Sequence, residues 1–231
     1  MPEFSVNRYL DAAVLKPELP EADVVKGIEQ CVAYEVKSVC VRPCDIKLAL
    51  QMCRGTTTEV GCVLNFPHGV GLSAIKAFEA EQYLALGVAE IDMVVNYSFI
   101  KSGQWPRVED DIAAVTRLTQ PAGVVLKVIL ETAMLSLDEI GRTTTIAAQA
   151  GADFVKTSTG FNGEGATVDA VQTMLAAAGD KIKVKASGGI RDLERAKLFV
   201  ELGCQRLGVN YTSVPPICDP ALAGESQTSD Y

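Results

Sequence analysis

Apolar positions along the chain fall into short runs separated by longer stretches of a different period. Eight runs rich in Val, Ile and Leu lie at residues 10–15, 38–41, 60–66, 90–96, 124–131, 153–159, 182–187 and 206–209. Between them, over 22–34, 46–53, 73–86, 107–118, 137–150, 168–178 and 193–202, apolar residues recur every three or four positions. The first pattern is that of strands and the second that of amphipathic helices. Ser136 followed by Glu139 forms a capping box ahead of the 137–150 stretch. Gly87, Gly151, Gly179 and Gly203 stand where a left-handed residue ends a helix.

Strand starts recur about every 28 residues, the length of one βα unit. The runs are continuously apolar rather than alternating, as in strands covered on both faces of a parallel sheet. Eight such units predict a single-domain (β/α)8 TIM barrel. An open doubly wound sheet is the alternative, because alternation does not by itself show closure. After the eighth run a barrel expects a closing helix, yet Pro215, Pro216 and Pro220 leave room for one short turn. The expected organisation is a barrel over 1–211 with a curtailed last helix, then a Pro-rich, polar, flexible tail over 212–231.

Composition narrows the function classes. Hydrophobic residues make up 48% and charged residues 22%, enough for a large core and unlike a disordered chain. A net charge of −8 would repel nucleic acid and anionic membranes. The start carries no basic segment leading into an apolar one, and no apolar stretch reaches the ~18 residues of a membrane span, so a cytoplasmic protein is expected. Seven cysteines, an odd number, are expected as reduced thiols. Cys40 and Cys44 invite a metal, but there is no CxxC pair and His68 is the single histidine, so no metal site is expected.

Polar residues inside apolar strands are the informative exceptions, since alternate barrel positions point inward. Asp92, Lys127, Lys156, Lys183 and Lys185 are of this kind. Asp92 with Lys127 could be a plain internal ion pair, and Lys183 a solvated strand end. Three lysines and an aspartate in one interior go further: like charges and desolvation lower an amine's pKa, and a neutral amine attacks carbonyls. That pattern points to Schiff-base chemistry. A lone histidine argues against a Ser/His/Asp mechanism, and no phosphate-loop motif is present. Glycine turns follow the sixth and seventh strands, at Thr159-Gly-Phe-Asn-Gly-Glu-Gly165 and Ser187-Gly-Gly-Ile-Arg191. Each is either a simple turn or a phosphate cradle ahead of a helix.

These residues are similar to those of the 2-deoxyribose-5-phosphate aldolase family. Phe154-Val-Lys-Thr-Ser-Thr-Gly-Phe161 resembles its Schiff-base segment, Val184-Lys-Ala-Ser-Gly-Gly-Ile-Arg191 its second-lysine segment, and Glu90-Ile-Asp-Met-Val-Val-Asn96 its acid segment. Asn65-Phe-Pro-His-Gly69, Phe78-Glu-Ala-Glu81, Lys127-Val-Ile-Leu-Glu-Thr132 and Gly165-Ala-Thr167 also match. The resemblance runs from about Leu10 to Gly208 and implies a metal-free class I aldolase, needing no cofactor, that cleaves 2-deoxy-D-ribose 5-phosphate to acetaldehyde and D-glyceraldehyde 3-phosphate in deoxyribonucleoside catabolism. By it Lys156 forms the imine, Lys185 lowers the pKa of Lys156 and moves protons, and Asp92 exchanges them. Lys127, Asp11 and Tyr231 support; Cys40, Thr159, Gly160, Gly188 and Gly189 bind substrate. The implied partner is a small phosphorylated sugar, and a homodimer is the family's habit.

Several positions depart from that pattern. Gly208-Val-Asn-Tyr211 replaces the family's Gly-Thr-Ser-Ser, and Asp11-Ala-Ala-Val-Leu-Lys-Pro17 lacks its histidine and threonine. Arg42 replaces a common asparagine, and Glu164 adds a negative charge beside a glycine turn. The departures touch the expected phosphate site and leave two alternatives open: an aldolase preferring an unphosphorylated aldehyde, or a barrel that has lost activity and binds.

Overall fold

In the computed structural model, which describes residues 5–222, the strands are Leu10–Val14 (β1), Ser38–Val41 (β2), Glu59–Leu64 (β3), Glu90–Val94 (β4), Val125–Ile129 (β5), Phe154–Lys156 (β6), Lys183–Ser187 (β7) and Arg206–Asn210 (β8). Each pairs in parallel with the next, and β8 returns to β1 with Asp11 opposite Gly208. The sheet is therefore a closed barrel rather than an open one.

The helices are Glu21–Ala33 (α1), Ile46–Met52 (α2), Ser73–Leu86 (α3), Tyr97–Lys101 (α4), Trp105–Ala122 (α5), Leu137–Gln149 (α6), Val168–Ala178 (α7), Leu193–Leu202 (α8) and Val214–Cys218 (α9). The capping box forms as the sequence suggests: Ser136 Oγ accepts from Glu139 N–H, and the Glu139 carboxylate accepts from Ser136 N–H. The Thr167 and Asp192 side chains cap α7 and α8 by accepting from Ala170 N–H and Arg195 N–H. Gly87 and Gly203, at φ 92° and 114°, close α3 and α8 in the left-handed region.

Several elements differ from the apolar pattern, among them the five-residue α4, which no apolar period marks. Helix α5 is longer at both ends than 107–118: it starts at Trp105 with Pro106 in its first turn and runs on through the buried Thr119, which an apolar period does not count. The Thr116 hydroxyl donates to Ala150 O at 2.7 Å. Strand β6 stops at Lys156, where the Thr157 hydroxyl takes over by donating to Ser187 O and accepting from Ser187 N–H. Beyond residue 211, packing continues past the expected tail boundary. Pro215 and Pro216 occupy the first turn of α9, where a missing N–H has no helical partner, while Val214 and Ile217 are fully buried. The helix that follows β8 is thus the short turn expected.

Strand parity divides the molecule into two environments. Ala12, Val39, Cys62, Ile91, Leu126, Val155, Val184 and Leu207 point outward and form one core with the helices. The opposite parity fills the barrel, where branched apolar side chains are the rule. Here a small apolar cluster of Ala13, Leu15, Cys40 and Val63 occupies the β1–β3 side. The remainder is largely charged, with Val94, Ile129 and Phe154 among the buried apolar residues of the same parity. Gly208 makes that packing possible: a Cβ there would come within 2.3 Å of Ser187 Oγ and 3.2 Å of Lys185 Cε.

Candidate active site

Register sets the lysines side by side. Asp92 lies opposite Lys127 across β4 and β5, and Lys156 lies opposite Lys185 across β6 and β7. All four residues are at most 3% exposed. Asp92 is the hub: its Oδ1 accepts from Lys127 Nζ at 3.0 Å, and its Oδ2 accepts from both Lys156 Nζ at 2.9 Å and Lys185 Nζ at 2.8 Å. Two amines thus meet on one carboxylate oxygen. Asp11 adds contacts to Lys185 at 2.6 Å and Lys127 at 3.3 Å.

A second charged pair joins them. Glu90 accepts from Lys127 at 2.5 Å and from Arg206 at 2.5 and 2.6 Å, and Arg206 Nε donates to Asp11 at 2.7 Å. The interior therefore holds Asp11, Glu90 and Asp92 against Lys127, Lys156, Lys185 and Arg206. Burial opposes ionisation of Asp92, but Lys127, Lys156 and Lys185 outweigh it and hold its carboxyl well below the usual carboxylate range. Asp11 and Glu90 are lowered by the same competition, chiefly against Lys127. Burial opposes charge on Lys127 too, yet Asp11, Asp92 and Glu90 raise it well above an ordinary amine. For Lys185 burial prevails, assisted by Lys156 and Lys127, and its pKa is lowered.

Above this cluster, at the C-terminal ends of β1, β6 and β7, opens a cleft of about 660 Å³. It is lined by Gly160, Phe161, Gly163 and Gly165 from one loop, by Gly188, Gly189 and Arg191 from the next, and by Lys16, Pro17 and Glu18 after β1. The two glycine loops touch backbone to backbone: Ala166 N–H donates to Gly188 O at 3.1 Å, and a Cβ on Gly165 would lie 2.3 Å from Gly188 C and O. No backbone atom can yield that far. Gly165→Ala is expected to part the loops, cost about 1–3 kcal/mol and speed amide exchange at Ala166; unchanged exchange would contradict this.

The expected site residues do not all meet. Lys156, Lys185, Asp92, Lys127 and Asp11 come together, while Gly160, Gly188 and Gly189 line the cleft. Cys40 sits inside the barrel, and burial, with Asp92 adding to it, pushes its thiol up to about 12. Thr159 is fully buried, and its hydroxyl donates to Glu131 at 2.5 Å while accepting from Phe161 N–H, so its bonds go to the loop itself. Lys183 is exposed, with Nζ 5.4 Å from the Phe154 ring centre. Tyr231 lies outside the described residues.

The departures behave differently from one another. Val209 belongs to the outer core, Asn210 caps the turn at Thr212, and the Tyr211 ring faces Gly27 of α1. Glu164 is exposed between two cleft glycines. Sequence reading missed Glu90, Arg206, Glu131, Lys16 and Arg191. Glu90 had a signal, standing two residues before Asp92 and so on the same strand face. Glu131, at φ 59° and fully buried, also accepts from Thr159 N–H and Asn162, and only the folded loop reveals it. Among the described residues no group of three or more His, Cys, Asp or Glu is placed to hold a metal.

Comparison with known proteins adds an independent line. A family model described as DeoC/LacD family aldolase matches residues 8–202. The deoxyribose-phosphate aldolase of Mannheimia succiniciproducens is 42% identical over 203 residues, 88% of this chain and 90% of its own length. That of Streptococcus sanguinis is 39% identical over 228 residues, 99% of this chain and 100% of its own. Among solved structures, an aldolase called QR15 aligns with a TM-score of 0.87 and 37% identity, covering 95% of this chain and 97% of that one. The deoxyribose phosphate aldolase of Aeropyrum pernix, described as a unique tetramer, aligns at 0.86 and 26% over 94% of this chain and 90% of its own.

Proposed function

The chain belongs to the DeoC/LacD family of aldolases, and we propose from that membership that it is a class I aldolase cleaving 2-deoxy-D-ribose 5-phosphate to acetaldehyde and D-glyceraldehyde 3-phosphate. The observation that supports the residue assignment is the shared oxygen: Lys156 and Lys185 both donate to Asp92 Oδ2 in a buried site. Lys156 Nζ attacks the sugar aldehyde, and the carbinolamine loses water to give an imine. The C3 hydroxyl then loses its proton, the C2–C3 bond breaks, and its electron pair enters the imine to form an enamine as glyceraldehyde 3-phosphate departs. Protonation of the enamine carbon and hydrolysis release acetaldehyde and regenerate the amine. Lys185 and Asp92 carry these protons: Asp92 is bonded directly to the nucleophile, and Lys185 reaches it through the shared Asp92 oxygen. The imine supplies the electron sink, so the chemistry calls for neither metal nor cofactor.

The cleft suits the 5-phosphate: Lys16 and Arg191 offer positive charge, and Gly160, Gly188 and Gly189 let backbone approach closely. Glu18 on the same wall favours a second reading, an aldolase for unphosphorylated aldehydes. The deciding measurements are the mass and position of a borohydride-trapped acetaldehyde adduct, then cleavage of deoxyribose against its 5-phosphate. An adduct on Lys156 is expected, with a strong preference for the phosphorylated sugar. Lys16→Ala should raise KM for it about 10-fold or more. Equal cleavage of both sugars would favour the second reading, and no adduct would leave a binding protein. We take the enzyme to act in the cytoplasm, as a homodimer, in deoxyribonucleoside breakdown. No described helix is long and apolar enough to cross a membrane.

A further inference from the structure

We propose that Glu90 and Arg206, which touch neither Lys156 nor Lys185, set the pH range over which the imine forms by fixing the net charge of the buried cluster. The inference rests on the Schiff-base reading above. Glu90 contacts Arg206 and Lys127, and Arg206 contacts Glu90, Asp11 and Ser38. Glu90 lies one inward step, two residues, before Asp92 on β4, and Arg206 lies one inward step before Gly208 on β8, opposite Lys185 in the register of β7 and β8. They are a charged floor beneath the reacting amine.

The argument is one of charge balance in a space too dry to tolerate an excess. Ionisable groups that face this space come from every strand but one: Asp11 on β1, Cys40 on β2, Glu90 and Asp92 on β4, Lys127, Lys156 and Lys185 on β5 to β7, and Arg206 on β8. The exception, β3, sends its Cys62 outward and pairs its part-exposed Glu59 with Lys37, while Lys183 at the start of β7 is exposed beside the Phe154 ring. Burial keeps Cys40 a neutral thiol, and Arg206 keeps its proton at any working pH. With every lysine protonated there are four cations against three anions. With one lysine uncharged, as carbonyl attack requires, the numbers are equal. Glu90 supplies the third anion and Arg206 the invariant cation, so each moves the pH at which that balanced state is reached, in opposite directions.

Glu90→Gln removes an anion, so the remaining cluster gives up a proton more readily. Imine formation should then extend to lower pH. Arg206→Met removes a cation, so the lysines hold their protons more firmly and the profile should move to higher pH. Each shift is expected to be on the order of one pH unit. Arg206→Lys keeps the charge and should leave the midpoint in place, while the double variant Glu90→Gln/Arg206→Met should return it to that of the parent.

The experiment is the initial rate of cyanoborohydride trapping of acetaldehyde against pH, for the parent, the single variants and the double variant, each checked for folding by circular dichroism. Opposite shifts with restoration in the double variant are the expected result. Coincident midpoints, or shifts in the same direction, would overturn the proposal while leaving the Schiff-base reading intact. Should either single variant not fold, the double variant read against Arg206→Lys carries the test, and a midpoint in either that departs from the parent overturns the proposal. A parent that traps nothing would overturn the Schiff-base reading and this inference with it.

Discussion

Lys156→Met eliminates both turnover and the trapped adduct, lowering the rate by a factor on the order of 10⁴ or more, and leaves the fold at least as stable as the parent. The first half of this expected result follows from chemistry: an enzyme that forms a covalent imine has no substitute for the nitrogen that makes it. The second half follows from the interior. Lys156 has one carboxylate contact, against two for Lys185 and three for Lys127. Removing it takes one cation from a cluster that otherwise holds four against three anions, and methionine fills a similar volume with no charge to desolvate. Adduct mass spectrometry and thermal melting check the two halves separately. An adduct that persists in the variant would move the nucleophile to Lys185 or Lys127. A marked fall in melting temperature would refute the charge argument.

Asp92→Asn should do the opposite, damaging stability together with activity. Three lysines donate to this one carboxylate, and its loss leaves four cations facing Asp11 and Glu90. Breaking a buried ion pair by removing one partner costs about 3–5 kcal/mol. For a chain of this size that is a melting-temperature drop of roughly 6–20 °C. The pH dependence gives the sign. In the parent Asp92, Asp11 and Glu90 have carboxyls held below their ordinary range, so the stability they contribute is present above about pH 4 and lost as pH falls through the folded-state values. Lys185, lowered by burial, has the same sign in a more alkaline window: the unfolded chain binds its proton more tightly, so stability rises with pH as that proton is lost. The variant's deficit should therefore be largest near neutral pH and shrink towards pH 10, where the excess positive charge can be shed. Melting curves between pH 4 and 10 test this, and a deficit independent of pH would disprove it. Proton transfer should suffer as well, with kcat down about 10²- to 10⁴-fold.

Both expectations start from residues that were visible in the sequence. Lys127, Lys156, Lys185 and Asp92 stand out because a charge within a β-branched run has no cheap explanation, and a period of two tells which neighbours share its face. The eight strands, their connecting helices and the Ser136 capping box are legible for the same reason: local periodicity and local hydrogen bonds leave their mark within a few residues. Boundaries were less legible where polar groups did apolar work. The buried Thr119 carries α5 past its last expected residue, and Thr157 ends β6 by bonding Ser187. The packed turn at Val214 and Ile217 was hidden behind two prolines that a first helical turn accommodates.

What the sequence determined by itself was the alternation of elements, the inward face of each strand, and therefore the list of charges that had to be accommodated. Tertiary structure alone decided how those charges pair. Closing β8 onto β1 brings Arg206 to Asp11, 195 positions apart, and to Glu90, while the β6–β7 register sets two lysines on one oxygen of Asp92. Coulomb energy and desolvation depend on distances of a few ångströms, whereas periodicity specifies only direction. Which lysine can lose its proton is accordingly a property of the closed barrel, not of any strand within it.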